Sequence, residues 1–143
     1  MDRKINHNPP EKKGLSKEEL EKLLAKWQEK LKMDGWSIDL EIVDFERKDF
    51  RQSGGFEVNL KKKTAIIQLT WNPWRGDEEY TLLHELIHVL LWDMDSHAEK
   101  LIFSNKNYDK KKYGWYLEYV ERTVHKLTYI LLGRKDKQTE YLD

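Results

Sequence analysis

Cysteine is absent from this 143-residue sequence, and proline and glycine are scarce, at three and seven residues. Without thiols there is no disulfide and no thiolate metal site, so His, Asp and Glu are left as metal ligands. No charge predominates either. Lys and Arg number 26, Asp and Glu number 26, and the net charge is zero. That balance removes the electrostatic case for a nucleic-acid partner or an anionic membrane surface, and neither is expected. No apolar run approaches the ~20 residues of a bilayer-spanning helix. Residues 1–14 are polar, carry Pro9-Pro10 and lack the apolar centre of a signal peptide. The expectation is a cytoplasmic, monomeric protein with a mobile leader over 1–14, one domain over 15–133 and a polar tail over 134–143.

Ser16-Lys17-Glu18-Glu19 has the pattern of a capping box, and Leu20, Leu23, Leu24, Trp27 and Leu31 follow at helical spacing. That helix stops at Asp34-Gly35. Trp36, Ile38, Leu40 and Ile42 then alternate with polar residues, the period of a strand with one buried face. Residues 44–53 are charged and read as a loop or frayed strand. Phe56 to Leu60, a lysine turn at 61–63 and Thr64 to Thr70 read as a hairpin. Gly76-Asp77-Glu78-Glu79 supplies a turn, an N-cap and a first acidic helical turn, after which residues 80–92 run without Pro or Gly. Residues 93–112 are polar and read as a mobile connector. The last helix covers 113–132 and ends at Gly133, with Leu117, Val120, Val124, Leu127 and Leu131 as its buried stripe. The fold class is α+β: three main helices against a sheet of about three or four strands.

His84-Glu85-Leu86-Ile87-His88 carries the chemistry. A helix turns about 100° per residue, so imidazoles four apart share one face and can reach one cation. Leu82, Leu83, Leu86, Ile87, Val89, Leu90 and Leu91 surround the motif, so its polar residues lie in a buried helix and need a reason to be there. A zinc ion supplies one. Glu85 is then placed as catalytic base, taking a proton from water at the metal as in zinc metallopeptidases.

Catalytic zinc takes three protein ligands, so a third is needed. The extended motif with a third His six residues on is excluded, because Leu91 and Met94 hold its Gly and His positions. His97 falls at the wrong spacing. Glu118 and Glu121 on the last helix remain, both beside the apolar face. Glu121 is preferred, since His125 follows at i+4 and can hold a ligand in orientation, with Glu118 as the alternative.

With the hairpin, residues 84–92 and the closing Glu121 to Leu127 helix in order, the chain resembles the compact gluzincin-type zinc metallopeptidase domains of bacteria and phages over roughly residues 36–132. The resemblance implies a zincin-like fold with an active-site helix, zinc on His84, His88 and Glu121, and Glu85 as general base. It also implies a peptide or protein substrate laid along the strand Thr64 to Thr70 by β-augmentation. Where larger members carry an Asp four residues after the Glu ligand, this chain has His125. A further oxyanion donor is expected among Tyr108, Tyr113 and Tyr116. Two other readings use the same motif: a peptidase that cleaves or senses repressors of mobile elements, and a non-catalytic zinc-binding scaffold.

Overall fold

The structure, a computed structural model, describes residues 5–46, 52–74 and 76–134. The fold is α+β, with three helices and a four-stranded mixed sheet among the described residues. Contacts divide the chain into two compact units, residues 1–89 and 90–143.

The first unit begins with β1 (Ile5–Asn6), which pairs antiparallel with the end of β2 (Ser37–Phe45) through Ile5 and Phe45, and Asn6 and Asp44. Its companion segment is held in place. The Lys13 N–H donates to the Trp71 carbonyl at 2.9 Å, and Lys12 Nζ and the Leu15 N–H both bond the Glu78 carboxylate, at 2.5 and 2.7 Å. The segment expected as a mobile leader thus makes backbone pairing at Ile5 and Asn6 and bonds to the Glu78 carboxylate; residues 1–4 lie outside the described residues.

Helix α1 (Lys17–Lys30) starts with the expected capping box: Ser16 Oγ accepts from the Glu19 N–H, and the Glu19 side chain accepts from the Ser16 N–H. Leu20, Leu24 and Trp27, at helical spacing, form its buried face. The hairpin is also as expected, with β3 (Gly54–Asn59) antiparallel to β4 (Thr64–Thr70). Its turn is closed by Asn59 Oδ1 accepting from the Lys62 N–H at 3.1 Å.

Sheet order is β1-β2-β4-β3, with β4 parallel to β2. Strand β4 is central and paired on both sides, so it has no free edge for a peptide, contrary to the expectation for Thr64–Thr70. Among the described residues, β3 forms the outer edge of the sheet next to it. Strand β2 also runs further than expected, to Phe45, and residues 47–51 of the expected loop lie outside the described residues. The core gathers Leu20, Leu24, Trp27, Leu40, Ile67, Leu69, Leu82, Leu83, Leu86 and Ile87.

Helix α2 (Glu78–Phe103) is the long element and contributes to both units. It does not stop at Trp92. Residues 93–103 contain neither Pro nor Gly and continue as helix, which leaves only 104–109 between it and α3 (Lys110–Leu132). The polar composition of 93–103 marks a solvated helix face, not a connector. Asp109 caps α3 through the Lys111 and Lys112 N–H groups, and Gly133 ends it at φ 69°, in the left-handed region where a side chain is strained. The buried face of α3 differs from the expected stripe. Val124, His125 and Thr128 are buried, whereas Leu117 and Leu131 are 40% and 39% exposed. No helix among the described residues is long and apolar enough to cross a membrane.

Candidate functional site

The segment entering α2 sets the motif's position. Gly76 turns the chain at φ 76°, and Asp77 Oδ1 accepts from the Tyr80 N–H at 3.1 Å, the N-cap bond that an aspartate at this position favours. Glu79 receives Trp27 Nε1 at 2.7 Å and Lys26 Nζ at 2.8 Å, which ties the first turn of α2 to α1. With that turn held on one side by α1 and on the other by Lys12 and Leu15, the next two turns present a defined face.

On that face the His84 and His88 rings lie 5.0 Å apart, centroid to centroid, at 67°. His88 is 7% exposed and Glu85 9%. Strand β3 supports both. The Phe56 ring stacks on His88 at 5.1 Å and 11°, nearly parallel. Two residues earlier on the same face of the strand, a Cβ added to Gly54 would stand 3.0 Å from Glu85 Cγ and 3.1 Å from Glu85 Oε2. Glycine at 54 leaves the room in which the carboxylate lies. Tyr80 completes the row, its ring 5.5 Å from His84.

Phe56 and Gly54 were not singled out from sequence. Their signal was the strand alternation that sets 54 and 56 on one face, but which element that face meets is not written in the strand itself.

The other expected site residues lie in the second unit, on α3 and just before it. Glu118 is paired with Arg122 at 2.9 Å, one helical turn on. Glu121 is exposed, and His125, four residues beyond it, is buried with its ring 4.7 Å from Tyr129. The tyrosines expected as oxyanion donors are otherwise engaged. The Tyr113 hydroxyl donates to Glu99 Oε2 at 2.7 Å, the Tyr116 hydroxyl donates to Asp95 Oδ1, and Tyr108 packs edge-on against Phe103 at 5.0 Å. Burial, then the bond to Glu99, raises the Tyr113 phenol to about 12, and burial with the bond to Asp95 raises Tyr116 as well. Both phenols stay protonated and aimed at carboxylates. His97 is exposed on α2.

No protein-family model matches this chain, and no curated protein or solved structure matches it significantly.

Proposed function

We propose that this chain is a zinc-dependent hydrolase of peptide bonds, with His84, His88 and Glu121 as metal ligands and Glu85 as general base. The observation that carries this reading is the arrangement on α2: two imidazoles one turn apart with a nearly buried carboxylate between them, His88 and Glu85 being backed by β3. A cation is a partner that this trio suits. The donor set fits zinc. Two imidazoles and a carboxylate are the ligand types of catalytic zinc, and Glu121 is the carboxylate proposed to complete the set. Glu118, held by Arg122, is the weaker choice.

Bound there, zinc would supply a Lewis acid that polarises a carbonyl and acidifies water. Glu85 accepts the proton of the attacking water and returns it to the leaving amine. Gly54 keeps the space for that carboxylate, and Phe56 fixes the His88 ring by stacking. The outer edge of β3, not β4, offers backbone N–H and C=O groups to an extended substrate.

The test pairs metal analysis with cleavage of a fluorescent unfolded protein. Parent and Glu85→Gln should hold one equivalent of zinc, while the variant loses cleavage by about 100-fold or more. A zinc-loaded parent that cleaves nothing would turn the reading to a scaffold. Glu121→Ala should lose zinc and Glu118→Ala keep it; the reverse reassigns the third ligand.

A further inference from the structure

A second strand edge in the first unit is open, away from the His84–His88 face. Among the described residues, β1 pairs with β2 only at Asp44 and Phe45, so β2 from Ser37 to Val43 has a strand partner there on one side alone. Pro9 and Pro10 explain why β1 goes no further along it, since proline has no N–H to give to a ladder. The direction of the free groups follows from two bonds. The Ser37 N–H donates to Lys63 and the Val43 carbonyl accepts from Trp71, both on the β4 side, at 3.0 and 2.9 Å. Backbone groups alternate along a strand, so odd-numbered residues serve β4, and Ile38, Leu40 and Ile42 turn their N–H and C=O outward.

A groove of about 440 Å³ lies along this edge. One wall is the α1 face of Lys17, Glu21, Leu24 and Gln28, spaced at helical intervals. The other is formed by Ile38, Asp39 and Leu40. Three consecutive strand residues cannot all line a groove through side chains on one face, so the groove follows the backbone edge. A helix wall, a strand wall and outward backbone groups together make a slot for one more strand.

We propose that this slot binds an extended, proline-free segment of a partner protein in which apolar residues alternate with Lys or Arg, added to the sheet beside β2. The apolar positions meet Leu24 and Leu40, and the backbone meets Ile38 and Leu40. Basic side chains, on the opposite face of the added strand, answer the exposed Asp39. A second copy of this chain fits poorly. The antiparallel registers centred on Asp39 or Leu40 set Asp39 against Asp39 or Glu41 of the other copy, and like charges directly opposite are destabilising. The site is independent of any metal on α2.

The probe is a fluorescein-labelled seven-residue peptide alternating valine and lysine, compared with its glutamate counterpart and a version with a central proline. Binding to the full chain is read by anisotropy at low salt with EDTA present, and amide exchange is followed by NMR. The lysine peptide should bind at least about tenfold tighter than either control and slow exchange at Ile38 and Leu40. Asp39→Lys, at an exposed position, should shift preference toward the glutamate peptide. Equal binding of all three peptides, protection confined to residues 54–59, binding abolished by EDTA, or a parent dimer dissociated by Asp39→Lys would each overturn the proposal.

Discussion

Gly54 acts through the side chain it lacks. Its φ is unexceptional, so the constraint is purely one of space: a methyl group there would press on Glu85 and on Thr81 Cγ2, 3.1 Å away. Gly54→Ala should fold, lose about 1–3 kcal/mol to overpacking, and displace the Glu85 carboxylate. Thermal melts together with cleavage assays check this, and a variant as active as the parent would show that Glu85 adapts. Tyr116 gives the opposite kind of residue-scale prediction. Asp95 is 7% exposed and receives the Tyr116 hydroxyl, so Tyr116→Phe leaves a buried acceptor one donor short. The expected loss is about 1–3 kcal/mol in urea unfolding. Cleavage should survive in the folded fraction, because the hydroxyl is committed to Asp95; a selective fall in turnover would restore Tyr116 as an oxyanion donor.

Within the second unit, α2 beyond Leu90 and α3 are joined by two phenol–carboxylate bonds, Tyr113 to Glu99 and Tyr116 to Asp95, with the two tyrosine rings stacked 6.4 Å apart. These bonds need protonated phenols. Both folded-state values lie above the ordinary 10.0, Tyr113 at about 12. A group whose folded value is raised contributes stability that is complete below its unfolded value and disappears as pH climbs through the folded one. The second unit should therefore weaken between about pH 10 and 12. Phenolate absorbance should show two late-titrating tyrosines that are missing from the titration of Tyr113→Phe/Tyr116→Phe; seven tyrosines titrating together near pH 10 in the folded protein would contradict it.

The same elements show what a sequence pattern can carry. The capping box, the hairpin and the Gly133 stop are local, set by residues a few positions apart, and all three appear in the structure. Sheet order is not local, and Thr64–Thr70 was misplaced at an edge for that reason. A signal was nevertheless present: Ala65-Ile66-Ile67 and Leu69 form a nearly continuous apolar run, typical of a strand covered on both faces, whereas β3 alternates Phe, Glu, Val and Asn as a half-exposed strand does. The polarity of residues 93–103 predicts a loop, but they contain no helix breaker and continue as helix. The α3 stripe went wrong because hydrophobic residues do not always mark the buried side; His125 and Thr128 occupy it while Leu117 and Leu131 do not.

At the scale of the whole molecule, a chain with no cysteine has no disulfide crosslink to order it. Two compact units divide within one continuous helix, with His84 and His88 before the division and Glu121 after it. If these three share one ion, metal binding is linked to the folding of both units. A ligand that binds only the native state stabilises it by about 2.7 kcal/mol at a free concentration 100 times its Kd. Zinc should accordingly slow amide exchange both in residues 80–89 and in residues 118–128 of the parent. In Glu121→Ala the response should weaken and withdraw to 80–89, since two imidazoles on one helix still bind zinc loosely. Zinc protection limited to α2 in the parent itself would remove Glu121 from the ligand set, and with it the claim that one ion joins the two units.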